Sequence, residues 1–355
     1  MITTDRTDQL VERLFGATIG ALELYSVYLG VELGLYRTLA RHGALTHAEL
    51  ADRASIAPRY AREWLEQQAV AGLLDVHEVG ERRFHLPRDH ARVLTDADDP
   101  AHVAPFAHML AGIGGVLPRV AEAYRTGGGV PYAAYGGEFR HGQGHINRPA
   151  FLHELTAGWI DAMPDVRDRL RERGGRVADV GCGQGFSTLA MARAFPRAVV
   201  EGFDADPASI RDAARHAADA GLGASIAFVA GDATAVSGRG PYDLVLVLET
   251  LHDLPHPAET LAAVRASLAP GGAALVVDER VADEFTAPGD EVERMMYGWS
   301  VTHCLPTQMV DEPSAALGTV MRSGTVRELA ASAGFAGVDV LDVDNDFFRL
   351  YRLDP

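Results

Sequence analysis

No lysine occurs anywhere in the 355 residues; the strong cations are all arginine, a bias better ascribed to genome base composition than to function. Against 32 arginines stand 49 carboxylates, for a formal net charge of −17. A chain so acidic is not expected to attract nucleic acid or anionic membrane nonspecifically. Cysteine is nearly absent. The two present, Cys182 and Cys304, cannot make a disulfide framework, so a reduced cytoplasmic setting is expected. Met1 to Asp8 contains no basic region followed by an apolar stretch, so no signal peptide is expected. The most apolar long segment, Ala17 to Ala40, carries Glu23, Glu32 and Arg37, charges expected to disqualify it as a membrane span. Internal repeats and low-complexity segments are also lacking.

What is there suits two domains, with apolar content ample for sizeable cores. From about Asp8 to Leu39 the spacing of Leu10, Leu14, Leu22, Leu29, Leu33 and Leu39 predicts two helices. Thr46 followed by Glu49 is a capping box and should begin another. Ile56 to Ala71 is a further helix, with Pro58 suited to its first turn. Leu73–His77 and Arg82–Leu86 then form a hairpin around Val79, Gly80 and Glu81. Helix, turn, helix, hairpin is a winged helix, which invites a DNA-binding reading. The second helix carries Arg59 and Arg62 but also Glu63 and Glu66, and Asp89, Asp96, Asp98 and Asp99 follow. With no basic stripe, nucleic acid is not expected as a partner. The apolar pattern from Leu22 to Leu39 exceeds what so small a module can cover, and predicts a homodimer.

Asp98-Asp-Pro100 marks a boundary. A largely apolar helix should follow from Val103 to Tyr124, broken locally at Gly112, Gly114 and Gly115. Gly127 to Gly137 is a loop signal. Tyr132, Tyr135, Phe139, His141 and His145 cluster in it and just after, either as a connector or as a loop covering a ligand. Phe151 to Leu170 reads as a linking helix, with Trp159 and Met163 available to a pocket or to the core.

The rest of the chain is organised around Arg176-Val-Ala-Asp-Val-Gly-Cys-Gly-Gln-Gly-Phe186. A short apolar run, a glycine turn and then a helical pattern is a buried parallel strand feeding a helix. The G-x-G-x-G spacing has no Lys-Ser/Thr behind it, which disfavours a phosphate-binding P-loop. Val199–Asp204 is a second strand ending in an acid, and Ile226–Ala233 a third ending in Gly-Asp-Ala. Tyr242–Asp253 and Gly272–Asp278 give a fourth and a fifth, and Val338–Val343 with Phe347–Arg352 two closing strands. An insertion, Glu279 to Met321, separates the fifth from the helix Gly324–Gly334.

This series resembles the class I S-adenosylmethionine-dependent methyltransferases over residues 150–355. The resemblance implies an α/β, Rossmann-like seven-stranded sheet behind an N-terminal winged helix that dimerises rather than binds DNA. The domains expected are 1–98 (winged helix), 99–165 (helical linker covering the pocket) and 166–355 (cofactor-binding, with 279–321 as a lid). In that family the first acid and glycine turn, here Asp179, Gly181, Cys182, Gly183 and Gly185, lie against the methionine part of the cofactor. Asp204, with Ala205 beside it, would hold the ribose, and Asp232 with Ala233 the adenine. Leu251-His-Asp253 matches the place where plant-type O-methyltransferases carry their general base. His252 is therefore the candidate base, or else a cap satisfied by Asp253. Glu249 and Glu279 are the candidate supporting acids, and Glu249 could instead hold the cofactor's amino group.

His303, within the insertion, is the candidate partner to His252. The pair would bind acceptor and proton without metal; alternatively it would ligate a metal with Asp253 or a bound 2-oxo acid, as in certain 2-oxo-acid C-methyltransferases of similar plan. A third possibility is a lid residue packed beside Trp299. The acceptor is expected to be a small molecule, methylated on oxygen, nitrogen or carbon. A non-catalytic, cofactor-sensing regulator is the alternative from another class, and would want the basic recognition helix that this sequence lacks.

Overall fold

A computed structural model describes residues 5–77 and 80–355. The expected turn residue Val79 and the extreme amino terminus, Met1–Thr4, lie outside them. The chain divides into two compact units, residues 1–114 with 137–149 and residues 115–136 with 150–355.

The first unit opens with α1 (Arg6–Glu32) and α2 (Leu35–His42). Thr46 and Glu49 form the expected capping box ahead of α3 (His47–Ala54), with Glu49 N–H donating to Thr46 Oγ1 at 3.2 Å. Pro58 starts α4 (Pro58–Val70). The hairpin of β1 (Asp75–His77) and β2 (Arg83–His85) is antiparallel, and α5 (Arg88–Thr95) closes the module. Its core gathers Leu35, Tyr36, Leu50, Trp64, Leu65 and Phe84. The face of α1 takes little part in that core. Leu10, Leu14, Phe15, Leu22 and Leu29 remain about half exposed or more. By length and composition alone α1 is apolar enough to cross a membrane.

Two expectations are corrected next. The helix α6 (Pro105–Thr126) runs without a break through Gly112, Gly114 and Gly115. The loop expected over Gly127–Gly137 ends in a short turn at Tyr132–Tyr135 and gives way at Gly136 to the helix α7 (Gly136–His153), so Phe139, His141 and His145 are helical. Packing explains both. A Cβ on Gly112 would meet Phe139 Cβ at 2.7 Å, and one on Gly142 would meet Met109 Cγ at 2.7 Å. The glycines let two helices touch backbone to backbone instead of breaking either.

The second unit is a seven-stranded sheet in the order β5-β4-β3-β6-β7-β9-β8. Its strands are β3 (Gly175–Val180), β4 (Ala198–Asp204), β5 (Ile226–Ala230), β6 (Tyr242–Leu248), β7 (Leu268–Glu279), β8 (Gly337–Val340) and β9 (Phe348–Asp354). The first five are parallel; β9 runs antiparallel to both β7 and β8. The helix α8 (Pro164–Arg173) precedes β3, and α9 (Phe186–Ala194), α10 (Pro207–Asp219) and α11 (Pro257–Ser267) lie between strands in sequence. The helices α12 (Glu291–Trp299), α13 (Leu305–Gln308) and α14 (Ser323–Ser332) follow β7. Apolar side chains fill one core on each face of the sheet, which is why its central strands read as continuous Val, Leu and Ala. The linking helix expected over Phe151–Leu170 is instead interrupted. A π turn spans Leu155–Trp159 and α8 begins afresh at Pro164, since a proline cannot continue the ladder. Trp159 and Met163 are fully buried in the core.

Candidate active site

The glycine turn follows β3, where the order of the sheet reverses and α/β folds hold ligands. Gly181 and Cys182 donate their N–H groups to Phe203 O at 2.8 and 2.9 Å, tying the turn to β4. Gly181, Gly183 and Gly185 all take positive φ. A Cβ on Gly181 would strike the Thr250 side chain, and one on Gly185 would meet Ala213 at 2.9 Å. Gly183 has open space ahead of it. Close packing thus dictates two of the glycines, and the third is held by its positive φ alone.

Asp179 sits behind this turn, fully buried. Ser187 Oγ and Thr188 Oγ1 of α9 donate to its Oδ2 at 2.6 and 2.5 Å. Its carboxyl, pushed up by burial, fastens strand to helix. Cys182 is buried too, and burial holds its thiol well above the usual range, leaving it inert.

Asp204 ends β4. Its Oδ2 accepts from Gly183 N–H and its Oδ1 from Asp206 N–H, both at 2.8 Å. A carboxylate has about four acceptor positions, so two stay available for hydroxyl donors. Burial pushes this acid up to about 6. Ala205 beside it is exposed. Asp232, after β5, is exposed and caps the turn that begins at Ala233, accepting from Thr234 N–H at 2.8 Å. The Thr234 hydroxyl and that bond hold its carboxyl below the usual range.

The centre of charge lies just beyond β6 and β7. Their register pairs Leu248 with Val277, so Glu249, just after β6, emerges beside Asp278 and Glu279, the last two residues of β7. Glu249 takes a strained φ of 50°, and His252 lies in a short turn, Leu251–Asp253. His252 is 4% exposed. Its Nδ1 is 2.9 Å from Asp278 Oδ1 and 3.2 Å from Glu279 Oε2, while its Nε2 is 3.5 Å from Asp253 Oδ1. Burial pushes the imidazole down, but the charges of Glu279, Asp278 and Asp253 outweigh it and hold His252 well above its usual value. The cation in turn outweighs the burial of Asp278 and keeps that carboxyl low. Burial, with Glu249 beside it, raises Glu279 strongly, and burial pushes Glu249 up to about 8. Glu249 Oε1 is buried with no hydrogen-bond partner among the described residues.

His303 stands in a π turn, Ser300–Cys304, between α12 and α13. Its ring meets those of Tyr135 and Tyr132 edge-on, at centroid distances of 4.6 and 5.8 Å. Burial pushes it down to about 4, with the His252 cation acting in the same direction. His252, Asp253 and Cys304 also offer ligand atoms within 4.8 Å of one another, as do His252, Asp278 and Glu279. The expected five-residue aromatic and His cluster is divided. Tyr132 and Tyr135 belong with His303, whereas Phe139, His141 and His145 are in the first unit. Sequence reasoning does not single out Asp278, although it immediately precedes Glu279 in a strand whose end is expected to carry the supporting acid.

A sheet in this strand order, with a glycine turn at one strand end and acids at the next two, defines the Rossmann-like methyltransferase class of fold. Comparison with known proteins agrees. Residues 171–333 match the family model of a methyltransferase domain, and residues 21–96 that of an Rv2258c-like winged HTH domain. The chain is therefore built of a methyltransferase domain preceded by a winged helix-turn-helix domain. Among curated relatives, the ubiquinone biosynthesis O-methyltransferase of Ralstonia nicotianae is 37% identical over 124 residues, 34% of this chain and 49% of that protein. The chain spans about half the length of the curated relatives it matches first. Solved structures match over nearly the whole chain. The mitomycin 7-O-methyltransferase MmcR aligns with a TM-score of 0.70 at 18% identity, covering 98% of each chain. Human N-acetylserotonin methyltransferase, solved with S-adenosylmethionine, gives 0.69 at 18%, covering 100% of this chain and 99% of that one. At that identity they establish the fold.

Proposed function

We propose that this chain is an S-adenosylmethionine-dependent methyltransferase acting on a small-molecule acceptor. The observation that carries the reading is His252, clasped by Asp278 and Glu279 at the same sheet edge as the glycine turn and Asp204. The residues fit the cofactor. Gly183 leaves room for close approach, Asp204 keeps acceptor positions for ribose hydroxyls, and the unpartnered Glu249 Oε1 suits an ammonium group. Asp232 and Ala233 would border the adenine, and Ala205 the ribose. Asp179 and Gly185 would act by holding the turn in shape, with Gly181 and Cys182 lining it. When bound, the cofactor supplies an electrophilic methyl group for in-line transfer.

The chain's own part is to align the acceptor and to manage one proton. Asp278 fixes the His252 ring through Nδ1, leaving Nε2 as the working nitrogen. The carboxylates make His252 a strong base but keep it protonated to higher pH, so it accepts a proton from the acceptor only after losing its own. His303, kept neutral by burial, is a hydrogen-bonding partner for the acceptor. The test is formation of S-adenosylhomocysteine with a panel of phenolic, amine and 2-oxo-acid acceptors. Turnover is expected with at least one, falling at least a hundredfold in His252→Ala; no turnover with bound cofactor would favour the regulator reading.

A second reading, metal-assisted C-methylation of a 2-oxo acid, draws support from the convergence of His252, Asp253 and Cys304. Burial pushes the Cys304 thiol up to about 12, so a metal there would have to displace its proton. Turnover of a 2-oxo acid that chelation abolishes and added metal restores would select it. We further propose a cytoplasmic homodimer that binds neither nucleic acid nor membrane. On α4, Arg59 pairs with Glu63, and Arg62 with Glu66, which also meets Arg82. The recognition helix thus neutralises its own cations.

A further inference from the structure

Within the first unit, three helices bring Glu32, His108 and Glu138 together, one potential ligand atom from each lying within 4.8 Å of the others. Glu32 ends α1, His108 lies in the first turn of α6, and Glu138 in the first turn of α7. His108 is 3% exposed. Its Nδ1 is buried with no hydrogen-bond partner among the described residues, and its Nε2 stands 3.7 Å from Glu32 Oε2, longer than a hydrogen bond. A buried imidazole ordinarily satisfies its nitrogens, because leaving them dry is costly. The Tyr28 ring packs edge-on to His108 at 5.0 Å. His141, one turn beyond Glu138 on the same face of α7, brings its ring within 5.0 Å of the His108 ring.

We propose that Glu32, His108 and Glu138 bind a divalent transition-metal ion of the Zn²⁺ class. One imidazole nitrogen with two carboxylate oxygens is a borderline donor set. It suits Zn²⁺, Mn²⁺ or Fe²⁺, whereas Ca²⁺ needs about six to eight oxygens and Mg²⁺ prefers carboxylate and water. Two positive charges would neutralise the two carboxylates, and three protein donors leave a position for water. The ion would fasten the end of α1 to the starts of α6 and α7. It is separate from the His252 cluster, which none of these residues joins.

The test uses untagged full-length protein, stripped with a chelator and titrated with Zn²⁺ alone by calorimetry, with bound metal counted. One equivalent should disappear in His108→Ala and bind at least tenfold more weakly in the isosteric Glu138→Gln. The rise in Tm that Zn²⁺ gives the parent should vanish in both variants. Should His108→Ala fail to fold by circular dichroism, Glu138→Gln and Glu32→Gln decide. Unchanged Zn²⁺ affinity in those two, no binding by the parent, or loss of the ion only in Asp253→Asn would each overturn the proposal.

Discussion

A cation buried among acidic groups, with the Asp278 carboxylate 2.9 Å away, stays charged because, in a low dielectric, their attraction exceeds the desolvation of a single imidazolium. That sets the pH behaviour of His252. Its pKa is raised, so activity that needs the neutral ring should climb with pH through a value above 6.5. Replacing Asp278 by Asn removes one of those negative charges and lowers the His252 pKa. The rising limb of the kcat profile should then move to lower pH, while its plateau falls roughly tenfold to a hundredfold as the ring loses its orienting acceptor. An unmoved limb would remove Asp278 from that role. Asp204 obeys the opposite demand, since ribose hydroxyls need its ionised form. With a pKa of about 6, its ionised fraction, and with it cofactor affinity, should fall about tenfold between pH 7 and pH 5. Asp204→Asn should abolish that step and weaken binding at pH 7.5 at least tenfold, as a charged acceptor is worth about 1.5–3 kcal/mol. Calorimetry at the two pH values, on parent and variant, reads both effects.

A helix interior normally gains about 0.5–1 kcal/mol when glycine becomes alanine, and α6 offers two glycines that should respond with opposite signs. Gly115 has nothing within 4 Å of the position an added methyl would take, so Gly115→Ala should stabilise by about that amount. Gly112 would place its methyl 2.8 Å from Phe139 N, and Gly112→Ala should destabilise by about 1–3 kcal/mol. Denaturant midpoints on the two variants check this, and equal shifts would mean that the α6–α7 contact is looser than these distances require. The same glycines show why this region misleads when read as sequence. Locally, Gly112, Gly114, Gly115 and the Gly127–Gly137 run look like breaks, and only the partner helix shows that Gly112 serves close approach. The strands of the sheet are legible because each is a short apolar run bounded by glycine or acid, with its ligand-side residue at the end. Legibility fails where side chains are aimed by irregular backbone. The π turn over Ser300–Cys304 buries His303 and Cys304 together, which no spacing of residues announces. Asp278 escapes notice because adjacent strand residues should face opposite sides. At the end of β7, however, both Asp278 and Glu279 come within 3.2 Å of His252 Nδ1.

For the molecule as a whole, a charge of −17 and a long apolar helix at the amino end pull in different directions. A net charge of that size favours solubility and repels polyanions. The row Leu10, Leu14, Phe15, Leu22 and Leu29 leaves α1 with an uncovered stripe some turns long, and such stripes mark an interface or a membrane contact. A second copy is the occupant we expect, since an isologous pairing lets the same stripe cover itself. Light scattering at micromolar concentration should therefore give twice the 38.0 kDa chain mass. Each buried Leu or Phe contributes about 1.5–3 kcal/mol, and a symmetric pair counts each substitution twice. Leu14→Glu with Phe15→Glu should then yield monomer at the same concentration, with circular dichroism unchanged. A parent that is already monomeric would end the dimer reading. Parent protein that sediments with neutral phosphatidylcholine vesicles, while the double variant stays in solution, would instead assign the stripe to lipid.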